Sequence, residues 1–245
     1  MKVKELIGKI KQVPYKRWIY TSLFAFLGLS FVSVVALRFI PVAMTPLMVI
    51  RSIEQLNDKE RDFRWEKDWV SMDHISKNVV KAVLASEDQA FFDHNGFDFV
   101  AIEKAMAHNK VSNKKIGAST ISQQTAKNVF LWQGRNWVRK GLEAYFTVLI
   151  ELVWPKERIL ETYLNVIEFG DGIYGVEAAS RHYFHKSASE INKNEAAMLA
   201  AVLPNPLKYK VNAPSAYLSK RCRRIMTQMN NIDYPQIQAQ YSLAN

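Results

Sequence analysis

Cysteine is almost absent from this chain. Among 245 residues only Cys222 occurs, so neither an intramolecular disulfide nor a thiolate metal cluster can form. Glycine and proline are sparse as well, at 9 and 8 residues. With 49% hydrophobic residues, that excludes a disordered or low-complexity chain. No stretch alternates convincingly between polar and apolar residues, and no internal repeat is found, so the body reads as predominantly α and as one domain. Acids are in deficit: 23 Asp and Glu stand against 33 Lys and Arg, a net charge of +10. The length suits one ordinary domain with an appendage.

The appendage is N-terminal. From Trp18 to Leu37 no charged residue occurs, and as a helix this run spans about 30 Å, the thickness of a bilayer core. Lys2, Lys4, Lys9, Lys11, Lys16 and Arg17 precede it against one acid, Glu5. The positive-inside rule then places residues 1–17 in the cytoplasm, 18–40 in the membrane and the body outside. A cleaved signal peptide is the rival. The run is longer than a usual signal core and no small-x-small cleavage site follows it, so an uncleaved signal anchor is preferred. Anionic lipid head groups account for the basic tail. The moderately basic remainder suits an anionic ligand or membrane surface, and delivery across a membrane argues against nucleic acid. Residues 41–70 read as a membrane-proximal linker, and the apolar, proline-broken stretch 41–50 either packs on the domain or rests on lipid. The main domain is expected over 71–235.

Helical spacing and capping residues predict helices over 76–88, from Asp98 to Met106, from Ser119 or Thr120 to about Val129, and over 136–153 and 156–167. Further helices are expected near 176–184, 192–203 and 216–230. Residues 109–118 read as a polar loop, and Gly170, Gly172 and Gly175 mark a turn.

Four blocks carry the chemistry. The first is Glu87-Asp88-Gln89-Ala90-Phe91-Phe92-Asp93-His94-Asn95-Gly96. A carboxylate flanked by aromatic rings loses solvent, which suits a general base or acid. Taken alone, however, a Glu-Asp pair at a helix end more often faces water, with His94 and Gly96 closing a turn. The second block, GxSTIxQQxxKN over 117–128, puts Gln123, Gln124 and Lys127 on one helical face. Ser119 and Thr120 stand at its N-terminus, where free N–H groups favour an anion. An oligosaccharide or phosphate surface and a plain solvated face are both open readings there. The third block, RKxxE over 139–143, is either an intrahelical ion pair or a phosphate site, with Arg135, Arg139 and Lys140 clustered near Lys127. The fourth is KxxILExYLN over 156–165.

In this order, and over roughly residues 70–210, the four blocks resemble the family 51 glycosyltransferases, the peptidoglycan glycosyltransferases. The chain has no room after residue 230 for the transpeptidase domain that some of them carry, and lacks that domain's complete SxxK, SxN and KTG set. It is therefore similar to the monofunctional members, inner-membrane proteins of Gram-negative bacteria. The resemblance implies a lysozyme-like, bilobal, mainly helical head with its smaller lobe near the membrane. It implies lipid II as substrate, with the growing undecaprenyl-pyrophosphate-linked glycan as donor. Glu87 matches the catalytic base and Glu143 the second glutamate. Asp88, Ser119, Thr120, Gln123, Gln124, Lys127, Arg135, Arg139 and Lys140 match substrate-binding positions. No cofactor is obligatory on this reading, although a divalent cation (Mg2+ or Mn2+) is allowed. Cell-wall synthesis or division proteins are candidate partners. Two departures stand out: Ala118 replaces the usual second glycine, and Leu142 stands where some members carry a base. A lytic transglycosylase or muramidase and a non-enzymatic division scaffold are the rival readings.

Overall fold

The computed structural model describes residues 15–113, 115–134 and 136–232. The basic tail up to Pro14 and Arg135 lie outside the described residues, as do positions 233–245. Contacts divide the chain into two units, one ending at Ile40 and one beginning at Pro41.

The first unit is α1, Tyr15–Phe39. At about 1.5 Å per residue it reaches roughly 38 Å. It is the one helix among the described residues long and apolar enough to cross a membrane.

The second unit is mainly helical. Its first helix, α2 (Pro46–Asn57), lies inside the stretch expected as a linker. The two prolines do not prevent it. Pro46 takes the first helical turn, where a missing N–H costs nothing, and the Thr45 side chain caps Met48 N. Arg51 Nε reaches Glu168 at 3.3 Å, and Gln55 Nε2 donates to Asp171 Oδ1 at 2.8 Å. Leu47 and Met48 are buried, so this segment packs on the domain.

A small sheet follows, which sequence patterning did not predict. Strands β1 (Glu66–Lys67), β2 (Glu168–Gly170) and β3 (Ile173–Tyr174) lie in the order β1-β3-β2, with β1 parallel and β2 antiparallel to β3. Strands of two or three residues are too short to show a period of two. The turn between β2 and β3 needs Gly172, whose φ is +72° and where a Cβ would meet Arg64 O at 2.1 Å.

The remaining helices are α3 (Lys77–Glu87), α4 (Phe99–Val111), α5 (Ile121–Phe130), α6 (Trp137–Val153), α7 (Lys156–Val166), α8 (Val176–Phe184), α9 (Lys193–Val202) and α10 (Ala216–Gln228). Caps set most of the starts: Ser76, Asp98, Thr120, Asn136, Asn192 and Ser215 each accept from a first-turn N–H. Trp154 and Pro155 separate α6 from α7. The α4 helix runs five residues beyond its expected end at Met106, because polar His108 and Lys110 are tolerated on an exposed face. The loop therefore starts at Ser112.

Two packing groups position the site. The α3 helix lies against α9 and α10, and α5 lies against α6 and α7. Val79, Val80, Val83 and Leu84 bury the inner face of α3. Phe130 of α5 stacks on Phe146 of α6, centroids 4.5 Å apart and planes 3° apart, which brings Lys127 beside the start of α6.

Candidate active site

Glu87 is the last residue of α3, and Asp88 immediately after it joins the two packing groups. Asp88 Oδ2 accepts from Ile121 N, the first amide of α5, at 3.0 Å. His94 Nε2 lies 3.1 Å from both Asp88 oxygens, while His94 Nδ1 accepts from Gly96 N at 3.2 Å. That acceptor role assigns the imidazole proton to Nε2, so the ring donates to Asp88. The turn depends on Gly96, with φ +88° and a Cβ position only 2.8 Å from Thr147 Cγ2. Its carbonyl accepts from Thr120 Oγ1 at 2.7 Å. Lys156 locks the same turn, donating to His94 O at 2.6 Å and to Glu151 Oε1 at 2.8 Å while lying over the Phe91 ring.

The base candidate sits on polar rather than aromatic partners. Gln124 Nε2 donates to Glu87 Oε2 at 3.1 Å and Ser86 Oγ donates to Oε1 at 2.9 Å. Tyr163 Oη donates to Gln124 Oε1 at 3.2 Å. A carboxylate only accepts, so Gln124 must turn its NH2 to Glu87 and its oxygen to Tyr163. Burial, reinforced by Glu87 and Asp88, holds the Tyr163 phenol well above its ordinary range, so it remains a donor.

A residue the sequence did not single out completes this environment. Arg221, on α10, donates through Nη2 to Ser86 Oγ at 2.8 Å and reaches Glu87 Oε1 at 3.5 Å. It lies 134 positions from Glu87 in a basic run (Lys220, Arg221, Arg223, Arg224) that reads as a solvated helix face. No local signal separates it from its neighbours; only the packing of α10 on α3 does.

The other expected residues fall into two sets. Thr120 and Gln123 are buried and form a reciprocal capping box: Thr120 Oγ1 accepts from Gln123 N at 3.2 Å and Gln123 Oε1 accepts from Thr120 N at 3.1 Å. With Asp88, they are engaged internally and shape the site from beneath. Ser119 is exposed at the mouth of a cavity of about 690 Å³ that Glu87, His94, Lys104 and Gly117 also line.

Lys127, Arg139, Lys140 and Glu143 form the second set. Glu143 is buried, with Arg139 Nη1 at 2.9 Å from Oε2 and Lys140 Nζ on Oε1. The pair that sequence reading could take as a surface ion pair is thus largely withdrawn from water, and Arg139 Nε is buried without a hydrogen-bond partner. Lys127 makes no ion pair among the described residues. Burial pushes its ammonium below the ordinary lysine value; Arg139 and Lys140 push the same way, while Glu143 and Glu87 oppose them. Lys127 therefore feels both glutamates. Beside this cluster lies a cavity of about 320 Å³ lined by Asn136, Trp137, Arg139 and Lys140.

A divalent ion finds no ready ligand set here. Both Glu143 oxygens face cations, and among the described residues no three His, Cys, Asp or Glu side chains gather to hold a metal.

The pattern of one family, described as Transglycosylase, matches residues 53–230. The chain belongs to the transglycosylase family. Among curated transglycosylase relatives, the biosynthetic peptidoglycan transglycosylase of Bdellovibrio bacteriovorus is 56% identical over 214 residues, covering 87% of this chain and 85% of that protein. The proteins of the same name from Haemophilus influenzae and Bacteroides thetaiotaomicron are 53% and 51% identical, covering 89% and 87% of this chain and 88% and 86% of their own. The family match includes α2 from Ile53 onward, in agreement with its packing on the domain.

Proposed function

We propose that this transglycosylase polymerises lipid II into β-1,4-linked glycan strands for cell-wall synthesis. Glu87 takes the proton from the 4-hydroxyl of the acceptor GlcNAc as that oxygen attacks C1 of the donor MurNAc. The C1–O bond to the α-linked pyrophosphate breaks, configuration inverts, and undecaprenyl pyrophosphate departs. Pyrophosphate needs its growing charge stabilised more than it needs a proton. Lys127, Arg135, Arg139 and Lys140 supply that stabilisation, and Glu143 holds Arg139 and Lys140 in place. Ser119 and Gln124 face the donor sugar, supported from beneath by Asp88, Thr120 and Gln123.

The observation that carries this reading is that α5 runs between the two sites: its Gln124 Nε2 meets Glu87 Oε2 at 3.1 Å, and the helix packs on α6, where Arg139 and Lys140 pair with Glu143. It supports a base on one side and a leaving-group site on the other. A lytic enzyme acting on neutral glycosidic bonds has no use for that cluster. The same reading makes α1 an uncleaved anchor with its N-terminus cytoplasmic and the domain outside the inner membrane.

Purified full-length protein incubated with fluorescent lipid II in neutral detergent tests it. Lengthening glycan is expected, and Glu87→Gln is expected to abolish it. Near-full activity in Glu87→Gln, or fragments released from preformed glycan, would overturn the mechanism.

A further inference from the structure

A second cleft opens on the α10 side of Glu87. Its volume is about 490 Å³, and its walls include Ser86 and Gln89 on one side and Tyr217, Lys220, Arg221 and Arg224 on the other. Three of the residues lining it are bases and none is an acid. Lys220 and Arg224 form no ion pair among the described residues. Arg221 reaches toward Glu87 at 3.5 Å, but its Nε is buried without a partner. The charges of Lys220 and Arg224 are therefore left without an ion-pair partner among the described residues, beside that of Arg221.

Two features connect this cleft to the reaction. Gln89 lines both it and the larger cavity at Glu87, so the two spaces adjoin. Arg221 and Ser86 link its wall directly to the base candidate. A ligand seated at Glu87 can thus send a side branch into it. The pyrophosphate already has its own cations on the α5–α6 side, and the sugar rings are neutral. The anionic part of the substrate still without a partner is the stem peptide, with its free carboxylates.

We propose that the cleft lined by Lys220, Arg221 and Arg224 binds a carboxylate of the substrate's stem peptide, and so sets a preference for stems with free acids. This rests on the lipid II reading above. Lys220 and Arg224 supply the charge, and the fork of Arg221 can pair with a carboxylate while still contacting Ser86. Lys220 and Arg224 are determinants of specificity, whereas Arg221 also contacts the base candidate.

The test compares lipid II carrying free stem carboxylates with lipid II whose stem carboxylates are amidated. Both are assayed with the full chain in neutral detergent, where no anionic head group is supplied. The wild-type protein is expected to show a KM about fivefold lower for the free acid, the size of one or two partly exposed ion pairs. The double variant Lys220→Gln/Arg224→Gln is expected to lose that preference. If wild type and variant show the same KM ratio between the two substrates, the proposal is overturned. It is equally overturned if wild type and variant differ only once anionic lipid is added, which would make the bases a head-group contact. Failure of the wild-type protein to polymerise either substrate would instead reject the lipid II reading itself.

Discussion

Gln124 Nε2 stands 3.1 Å from Glu87 Oε2, and its other amide atom is held by Tyr163 at 3.2 Å. The orientation of the base candidate is thus fixed by a phenol on a different helix. Gln124→Leu is expected to lower kcat about tenfold, in line with one lost hydrogen bond to a charged group. Tyr163→Phe should cost less, because the amide survives but can rotate. The two effects should be markedly non-additive, since both act through one amide. Steady-state rates of all four proteins on lipid II check this; strict additivity would separate the two residues.

Removing the second glutamate should be felt first as instability. Glu143 neutralises Arg139, and both are buried. Glu143→Gln leaves that guanidinium uncompensated, at a cost of about 3–5 kcal/mol. Thermal unfolding in detergent should show a clear drop. The double variant Glu143→Gln/Arg139→Gln should recover part of it, because no lone buried charge remains. No recovery would mean that the pair is not the source of the loss.

Lys127 predicts the alkaline side of the pH–rate profile. Burial lowers its value below that of an ordinary lysine, so it loses its proton sooner as pH rises. Activity should accordingly decline at a lower pH than an exposed lysine would dictate. Lys127→Arg should move that decline to higher pH, because guanidinium stays charged. An unchanged alkaline limb in the arginine variant would assign the titration elsewhere.

Glu168 predicts a pH dependence of stability. Burial raises its value to about 7, with Asp171 and Glu54 adding to the shift and Arg51 opposing it. The folded state therefore holds this proton more tightly than the unfolded chain does. Its contribution is fully present below the ordinary carboxylate value of 4.5 and is lost as pH rises through about 7. The difference is on the order of 3 kcal/mol across that window. Unfolding midpoints at pH 5.5 and pH 8 should differ more for wild type than for Glu168→Gln. Equal pH slopes in the two proteins would remove Glu168 as the cause.

Much of this arrangement is legible in the sequence because it is local. Asp98, Thr120 and Asn136 announce the helices they cap, and the RKxxE spacing places Arg139 and Glu143 one turn apart. The rest is not local. Arg221 meets Glu87 only through the packing of one helix on another, and nothing in a run of four bases distinguishes the inward one. The α2 helix was obscured by prolines, one of which sits where a helix accepts it. Capping also competes with binding for the same side chains: Thr120 and Gln123 are polar residues in a polar motif, yet their hydrogen-bonding atoms are engaged by each other.

The Asp88–Ile121 bond has a consequence for tolerance to insertion. Some thirty residues lie between Glu87 and α5, but their length does not set the distance from Glu87 to Lys127. That distance is held by the Asp88–Ile121 bond, together with Gln124 on Glu87, between the end of one helix and the start of another. Residues can therefore be added or removed beside the exposed Asn113 and Lys115 without changing the catalytic spacing, short of Gly117 and Ala118, which line the cavity at Glu87. A single change at Asp88 has no such freedom.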